Sequence, residues 1–316
     1  MADPYNVMDS FQPFEVVAPA TTANLGPGFD CLGMALDLWN RLEVVPVPAG
    51  SPELSSVEIV GEGEDELASD ASNLTIRALR FLFDEAGLEM PGLRLRCQNV
   101  IPLSRGMGSS AAAIAGGLVA ANHLCGHQYS RNELLEMAAT IEGHPDNVAA
   151  AVLGGLQLVV SDGPQLYTAP IPVPEEIQAV LFIPEARIAT SDARAVLPGQ
   201  VSVADAVFNM GRVALLVAGM SLDRPEYLDV ATQDRLHQPY RQPLFPAIKL
   251  IFAAARDAGA LGVFLSGSGS TVLALTRGRE MTVAYEMFEA ARLTGVSGKV
   301  EITRPTSRGA HVVGKD

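Results

Sequence analysis

The sequence contains little cysteine and few aromatic residues. Its 316 positions include three cysteines, one tryptophan and 6% aromatic residues. Cys31, Cys97 and Cys125 fit neither a disulfide framework nor a zinc-ligand spacing, and they indicate buried thiols in a reducing compartment. A run of about 18 apolar residues without polar breaks is absent, which argues against a membrane span. Residues 1–6 lack the basic start of a secretory signal, so we expect a cytoplasmic protein.

Positive charge is also scarce. The chain has 22 Lys and Arg against 36 Asp and Glu, a formal net charge of −14, which argues against nucleic acid or an anionic membrane as partner. The same field repels ATP, so an ATP site here must gather positive charge locally from arginine, backbone N–H groups and a metal ion. The content of 48% apolar and 18% charged residues is typical of a soluble globular protein, and the length predicts two domains.

The most informative segment is Pro102–Ala113, with the sequence Pro-Leu-Ser-Arg-Gly-Met-Gly-Ser-Ser-Ala-Ala-Ala. Gly106 and Gly108 allow the backbone to turn tightly and approach a ligand. Ser109 and Ser110 stand where a helix would begin, and a helix start offers unpaired N–H groups that suit a phosphate. The segment predicts a phosphate-binding loop, with a close-packed helix start without a ligand as the alternative.

Two other glycine patterns compete with this interpretation. The spacing Gly106-x-Gly108-x-x-Ala111 resembles a dinucleotide fingerprint, which needs an acidic residue about 20 positions later. Position 128 is Gln and the next acid is Glu133, so this interpretation is weaker. Gly309–Lys315 matches most of a P-loop pattern but is followed by Asp316 where Ser or Thr is required. We take that match as accidental.

Apolar spacing predicts an α+β protein. Helices are expected after the loop to about Asn122, from a Ser130 cap to Ile141, and over 74–87, 202–219, 246–258 and 280–293. Strands are expected at 14–18, 36–47, 93–97, 156–160, 179–183, 261–265 and 271–276. Prolines from Pro164 to Pro174 break the pattern, so we place a boundary there. Residues 1–165 would form an N-terminal nucleotide-binding domain and 166–316 a C-terminal domain.

Three separated blocks of sequence carry a resemblance to a known family. They are Ala18-Pro-Ala-Thr-Thr-Ala-Asn-Leu-Gly-Pro-Gly-Phe-Asp30, the loop Pro102–Ala113, and Gly262-Val-Phe-Leu-Ser-Gly-Ser-Gly-Ser-Thr271. In order and spacing they resemble the GHMP kinases, the family of galacto-, homoserine, mevalonate and phosphomevalonate kinases. Glu142-Gly-His-Pro-Asp-Asn-Val148 and Thr190–Pro198 most resemble the branch that acts on L-homoserine. One departure is Ser270, where the third block more often has proline.

The resemblance implies a two-domain α+β GHMP kinase fold with the active site in the interdomain cleft. It implies transfer of the γ-phosphoryl group of ATP, with Mg²⁺, to the side-chain hydroxyl of L-homoserine, which gives O-phospho-L-homoserine for threonine biosynthesis. Three alternatives stay open: a family kinase for mevalonate-like or sugar alcohols, a non-catalytic nucleotide-binding module, and a structural interaction protein. The sequence does not decide the oligomeric state, and a homodimer is carried as a prediction.

The resemblance also assigns ATP-binding residues. They are Pro102, Leu103, Ser104, Arg105, Gly106, Met107, Gly108, Ser109, Ser110, Ala111 and Ala112, with Asn73 near the adenine. Asn73 equally suits the N-cap of the following helix. Ser110 and a carboxylate would hold Mg²⁺. Glu142 is the first choice for that carboxylate and Glu136 is its rival, and the spacing does not decide between them.

The acceptor would be held by charged and polar side chains. By resemblance, Asp30 binds the substrate ammonium with Asn24 beside it, and Arg194 and Arg241 bind the carboxylate, which a guanidinium can hold through two hydrogen bonds. Thr190 would bond near the reacting hydroxyl. Turn chemistry at Asn24 and Asp30, and surface ion pairs at the arginines, are the alternatives.

His144 and Asp146 face the substrate by the same resemblance. In mevalonate-type relatives an aspartate near this place is proposed as the general base. For the homoserine branch, direct attack by the hydroxyl without a strong base is equally tenable. The assigned catalytic residues are therefore Asp146, Glu142 and Thr190, with the role of Asp146 left open.

Overall fold

The computed structural model describes residues 12–47, 56–163 and 165–314. Expectations that fall on residues 1–6, on Pro164, and on Lys315 and Asp316 lie outside the described residues. Within the described ranges the chain folds as an α+β protein with two sheets.

The first part of the chain builds most of one mixed sheet and the helices that cover it. Its elements are β1 (Phe14–Ala23), β2 (Leu32–Pro46), β3 (Ser56–Gly61), α1 (Leu74–Glu85), β4 (Leu93–Asn99), α2 (Ser109–Leu124), α3 (Arg131–Glu142), α4 (Asp146–Leu153), β5 (Leu156–Asp162) and β6 (Gln165–Ile171). The sheet runs in the order β11-β1-β2-β4-β3, where β11 is His311–Val312, and β5 pairs with both β2 and β6. Every pairing is antiparallel except that of β3 with β4.

The second part builds an antiparallel sheet in the order β10-β7-β9-β8. Its elements are β7 (Gln178–Pro184), α5 (Thr190–Ala195), α6 (Val203–Ser221), α7 (Leu228–Ala231), α8 (Gln238–Arg241), α9 (Ile248–Asp257), β8 (Gly262–Leu265), β9 (Val272–Thr276), α10 (Glu280–Leu293), β10 (Gly298–Thr303) and β11 (His311–Val312). The helices and strands expected from apolar spacing are present. The short elements β3, β6, α4, α5, α7, α8, β10 and β11 were not predicted.

The two sheets divide the chain later than the predicted boundary at 165/166. Residues 165–171 form a hairpin with β5, with Leu156 opposite Ile171, so they belong to the first sheet. The second sheet begins at Gln178. The chain also returns to the first sheet at its end, where Val312 pairs with Val16. The prolines interrupt helix formation but still permit a strand at the edge of a sheet.

Helix α2 lies at the centre of the first unit. It contacts α1, α3, α4 and β1, and its residues from Ala111 onward are almost all buried. A helix that is apolar on all sides is typical of the interior of a protein. Small residues allow the close packing: a Cβ on Gly117 would approach the backbone carbonyl of Thr75 to 2.7 Å. The phosphate loop therefore leads into a rigid, buried helix.

By length and composition alone, helix α6 could cross a membrane, and 22% of its apolar window is buried. Polar and charged residues interrupt this helix, so it does not contradict the expectation that the chain lacks a run of about 18 apolar residues without polar breaks. Val203, Val207 and Met210 are exposed on it. Its polar Asn209 is buried, and its side-chain amide donates to the carbonyl of Pro27 and to Asp234.

The three cysteines are free thiols, as expected. Cys97 and Cys125 are buried and Cys31 is half-buried. Burial raises the pKa of each thiol to about 11, so all three are protonated near neutral pH.

Candidate active site

A cavity of about 440 Å³ lies beside the phosphate loop and is lined from the second part of the chain by α5, α8 and the connection between β8 and β9. One end is lined by loop residues Pro102, Leu103, Ser104, Gly106, Met107, Gly108, Ser109, Ser110 and Ala112, with Asn73 and Glu142. The other end is lined by Asn24, Asp30, His144, Asp146, Thr190, Arg194 and Arg241. The structure thus brings most of the predicted site residues around one space.

The phosphate loop has the backbone shape that its glycines predict. Gly106 and Gly108 have φ values of 72° and 67°, in the region that favours glycine. A Cβ on Gly106 would overlap the carbonyl oxygen of Ser266, and one on Gly108 would overlap the hydroxyl of Thr21. Gly108 caps α2, so the N–H groups of the first turn have no acceptor within the helix. These groups are available to an anion.

Two predicted ATP-binding residues do not line this cavity. Arg105 donates from Nε to the carbonyl of Pro184 at 2.7 Å and from Nη2 to the carbonyl of Glu185 at 2.9 Å. Its third bond goes from Nη1 to the carbonyl of Leu103 at 3.2 Å. The guanidinium therefore ties the loop to the end of β7. Ala111 is fully buried in the core.

The third sequence block packs against the phosphate loop. The Ser266 hydroxyl donates to the carbonyl of Gly106 at 2.5 Å and lies 2.8 Å from the hydroxyl of Thr22. The N–H of Thr271 donates to the carbonyl of Arg105 at 3.2 Å. The second sheet thus helps to hold the loop in place.

Ser110 and Glu142 meet beside the start of α2. The Ser110 hydroxyl donates to Oε1 of Glu142 at 2.5 Å. Glu136 is exposed and does not line the cavity. The described part of the chain has no cluster of three or more His, Cys, Asp or Glu side chains that could hold a metal by themselves. Mg²⁺ is usually held by one or two carboxylates together with substrate phosphates, and this pair of oxygen donors fits that arrangement.

At the other end of the cavity, Asp30 and Arg194 form a bidentate ion pair. Arg194 donates from Nη2 to Oδ1 at 2.8 Å and from Nη1 to Oδ2 at 3.0 Å. The hydrogen bonds from Arg194 to Asp30 raise the pKa of the guanidinium, so it stays charged. The two groups assigned to opposite charges of a zwitterion therefore neutralise each other in the absence of a ligand.

Asn24 shapes the loop that carries Asp30. Its side-chain amide donates to the carbonyl of Gly267 at 2.9 Å, and its Oδ1 accepts from the N–H of Asp30 at 3.0 Å. Asn24 and Asp30 have positive φ values of 70° and 57°. Asn and Asp adopt this region more readily than other residues with a side chain, which agrees with the turn chemistry considered for this loop.

Arg241 is almost fully buried, with 2% of its surface exposed. Burial, and then the neighbouring Arg194, lower its pKa to about 10, so it is still a cation at neutral pH. Thr190 begins α5, and its hydroxyl lies 3.4 Å from that of Ser268. Its place at the cavity suits a contact with a ligand hydroxyl.

Asp146 and His144 lie side by side at the start of α4. Asp146 is 3% exposed, and its Oδ1 accepts from the N–H of Asn147 at 2.7 Å. Burial is the main cause that raises the pKa of Asp146, with a smaller contribution from Asp30. His144 Nδ1 lies 3.9 Å from Asp146 Oδ1 and has no hydrogen-bond partner although it is buried. A buried polar atom of this kind suits a ligand contact.

Asn73 is the N-cap of α1, as one of its two expectations stated, and the other expectation, a place near the adenine, stays a prediction. Its Oδ1 accepts from the N–H of Thr75 at 2.9 Å, which makes it the N-cap of α1, and its amide donates to the carbonyl of Ala68 at 2.6 Å. It also lines the nucleotide end of the cavity.

Sequence reasoning missed His237 and Phe29. His237 is fully buried next to Arg241, and its ring stacks on that of Phe29 with centroids 5.2 Å apart. The Arg194 and Arg241 guanidinium carbons lie 5.5 and 5.4 Å from the Phe29 ring centroid. Phe29 lies one residue before Asp30 inside the first quoted block, and His237 lies four residues before Arg241, but neither position by itself indicated a role in the site.

Comparisons with known proteins agree with this geometry. The family model for the GHMP kinases N terminal domain matches residues 73–155, and that for the GHMP kinases C terminal matches 222–292. The chain is 44% identical to a homoserine kinase of Moorella thermoacetica over 298 residues, which covers 94% of this chain and 99% of that protein. It is 40% identical to a homoserine kinase of Synechocystis over 300 residues, with coverages of 95% and 98%.

Solved structures also include a homoserine kinase that is similar to this chain. The crystal structure of a homoserine kinase from Cytophaga hutchinsonii has a TM-score of 0.88 and 30% identity, and the match covers 96% of this chain and 98% of that one. A mevalonate kinase of L. major solved with R-mevalonate has a TM-score of 0.68, 16% identity and coverages of 95% and 98%. The latter likeness shows the fold alone.

Proposed function

Since this chain belongs to the GHMP kinase family, we propose that it transfers the γ-phosphoryl group of ATP to the side-chain hydroxyl of L-homoserine and releases O-phospho-L-homoserine and ADP. As a family member it is an ATP-dependent kinase that acts on a hydroxyl group. The homoserine kinases among its relatives match it over nearly their whole length. Threonine biosynthesis is the setting that this activity implies.

One observation carries the proposal. A single cavity joins a phosphate-binding helix start to a site with paired opposite charges, Asp30 and Arg194, beside a buried cation, Arg241. A free amino acid carries one ammonium and one carboxylate, so both of its charges find partners there. Mevalonate has a carboxylate and no ammonium, and a sugar has neither, so neither could give Asp30 a new partner when Arg194 turns to the ligand.

We propose that the N–H groups of Ser109 to Ala111 and the loop glycines hold the ATP phosphates, with the adenine near Asn73. Ser110 and Glu142 would hold Mg²⁺, which neutralises phosphate charge when bound. Asp30 would take the substrate ammonium, and Arg194 and Arg241 its carboxylate. Arg194 would have to exchange the Asp30 carboxylate for that of the substrate as the ammonium arrives.

The acceptor hydroxyl would then lie near Thr190, His144 and Asp146. Thr190 can orient the hydroxyl by a hydrogen bond, and the unpartnered Nδ1 of His144 can bond to the substrate. Asp146 can accept the hydroxyl proton or only orient the group. Positioning and neutralisation of charge supply most of the catalysis in phosphoryl transfer, so the mechanism works with either role.

An acceptor panel tests the proposal. ADP release from Mg-ATP is measured with homoserine, serine, threonine, mevalonate and galactose, and homoserine should give the highest kcat/KM by a wide margin. A higher value for mevalonate or galactose would contradict the substrate while leaving the family unchanged. ATP binding without turnover of any acceptor would instead identify a non-catalytic nucleotide-binding module.

We also propose a cytoplasmic setting, with neither nucleic acid nor membrane as partner. The net charge of −14 supports this, because both of those surfaces are anionic. A homodimer stays a prediction, and sedimentation of the purified protein would measure the oligomeric state.

A further inference from the structure

Arg241 is a buried cation whose hydrogen-bond acceptors are all neutral. Nε donates to the carbonyl of Ala193 at 3.1 Å, and Nη1 donates to the carbonyl of Gly267 at 3.0 Å and to Nδ1 of His237 at 3.0 Å. Among the described residues it has no ion pair, and Nη2 has no protein partner. Because Arg241 lines the cavity, its charge is left for an anionic ligand.

His237 can accept the bond from Arg241 only in one protonation state. An arginine N–H donates and never accepts, so Nδ1 of His237 must carry a lone pair. The proton then sits on Nε2, which lies 2.6 Å from the carbonyl oxygen of Gly26. Burial is the main cause that lowers the pKa of His237 to about 4, with a further contribution from Arg241, so the ring is neutral at physiological pH.

The surroundings hold this ring in place. The Phe29 ring stacks on one of its faces. Asp234 accepts from the backbone N–H groups of His237 and Gln238 at 3.1 and 2.7 Å, which fixes the start of α8. Its Oδ2 also lies 3.5 Å from Nε2 of His237 and favours a proton there. The ring is therefore oriented from several sides.

We propose that His237 is a positioning residue for the acceptor site. As a neutral Nε2–H tautomer, its ring bonds to the Gly26 carbonyl through Nε2 and to Arg241 through Nδ1. These two bonds aim the Arg241 guanidinium at the substrate carboxylate. The inference rests on the proposed function, because it takes the carboxylate of the amino acid as the ligand of Arg241. In this role His237 does not touch the substrate and acts only through Arg241. A neutral partner forms no ion pair with Arg241, whereas an acidic side chain in its place would compete with the ligand carboxylate for the guanidinium.

Two substitutions separate this role from a general packing role. In His237→Asn, the side-chain oxygen lies near the place of Nδ1 and keeps an acceptor for Arg241, while the bond to Gly26 is lost. In His237→Gln, the amide nitrogen lies near the place of Nε2 and keeps the Gly26 bond, while Arg241 loses its acceptor. We expect His237→Gln to raise KM for homoserine about tenfold to a hundredfold, and His237→Asn to raise it by roughly threefold or less. KM for ATP should stay within about twofold for both variants.

Equal effects of the two variants on KM for homoserine, or the reverse order, would overturn the proposal. In an Arg241→Ala background the difference between Asn and Gln should disappear, because the bond it reports no longer exists. A difference that persists there would also contradict the role.

If both variants fail to fold, ring-nitrogen NMR of the wild-type protein decides. We expect the His237 ring to be protonated on Nε2 alone from about pH 5 to 8. A ring protonated on Nδ1, or on both nitrogens, would overturn the proposal. This readout needs no substrate, so it stands even if the acceptor panel shows that homoserine is not phosphorylated, and the two failures are distinguishable.

Discussion

The two ends of the cavity are built by different means. The nucleotide end is made mostly from the backbone of one segment, residues 102–112, with Asn73 and Glu142 beside it. The acceptor end is made from side chains of four separated segments around Asp30, Asp146, Arg194 and Arg241. Its charges already bond to other parts of the protein, as in the Asp30–Arg194 pair. A local loop can bind phosphate in many proteins, whereas the acceptor end needs both sheets in place and therefore sets specificity.

Positive charge is also divided unequally between the two ends. In the loop, Arg105 bonds to carbonyl groups of its own loop and of the end of β7. Arg194 and Arg241 both lie at the acceptor end. Arg41 also lines the cavity but pairs with Glu15. In the proposed function, ATP would therefore be neutralised mainly by N–H groups, the dipole of α2 and Mg²⁺. The comparison predicts that mutations at the two ends affect different kinetic constants.

The largest expected effect is at Asp146. Burial raises its pKa, so its carboxylate is a better proton acceptor than an ordinary aspartate. We expect Asp146→Asn to lower kcat about 10²–10⁴-fold with little change in KM for ATP. A loss of less than roughly tenfold would rule out the base role and leave only orientation.

The pH profile of the wild-type enzyme tests the same role. A raised pKa means that the basic form of Asp146 is lost on acidification at a higher pH than for a free aspartate, whose pKa is about 3.9. In the base role, kcat therefore falls on the acid side with an apparent pKa above that value. The pH profile of Asp146→Asn should lack this fall of kcat on the acid side.

Next in size is the loss of the charge at Arg194. We expect Arg194→Met to lower kcat/KM for homoserine about a hundredfold or more, because the substrate carboxylate loses one of its two proposed cationic partners. KM for ATP should stay within about twofold. Arg187→Met is the matched control, since Arg187 lies just before α5, the helix that carries Arg194, and pairs with Glu66 at the surface. Equal losses in the two variants would show that the acceptor end is not where the arginine charge acts.

A smaller effect is expected for the metal carboxylate. Glu142→Gln should raise the Mg²⁺ concentration for half-maximal rate about tenfold to a hundredfold, because the residue meets Ser110 at the cavity. Glu136→Gln is the control and should leave this concentration unchanged. If Glu136→Gln gives the larger shift, the metal site has been placed on the wrong carboxylate.

The smallest effect is on stability and tests the backbone character of the loop. Gly106→Ala and Gly126→Ala both place a side chain at positive φ, but only at Gly106 would the new Cβ overlap another group, the Ser266 carbonyl. We expect Gly126→Ala to cost about 1 kcal/mol of unfolding free energy and Gly106→Ala about 1–3 kcal/mol more. Urea denaturation measures the difference in unfolding free energy. Equal losses in the two variants would show that the loop shifts to accommodate the new Cβ without further loss of stability.

The nucleotide end could be predicted from sequence because its information is local. Gly106 and Gly108 mark the turn, Ser109 and Ser110 mark the helix start, and the regular helices and strands follow from apolar spacing. Helix α3 even shows the capping box expected at Ser130 and Glu133. The family resemblance, rather than spacing, brought Asp30, Arg194 and Arg241 together.

What could not be predicted depends on contacts between distant segments. Nothing around Arg105 indicates that its guanidinium bonds to carbonyl groups 79 and 80 residues away instead of facing a phosphate. That Glu142 rather than Glu136 meets Ser110 depends on where α3 ends relative to α2. The buried His237 has no local signal of its own, because its role comes from Gly26 and Arg241 on either side of the ring.

The pairing of β11 with β1 affects how the protein could be divided in the laboratory. The strand that completes the edge of the first sheet comes from the far end of the chain, after all of the second sheet. Expressed separately, residues 12–171 would leave β1 without that neighbour. They would also leave the Arg131 side chain without one of its acceptors, the carbonyl of Ala310. A free strand edge promotes aggregation, so a fragment carrying the nucleotide loop should include residues 304–314, for example through a short linker that replaces the second sheet.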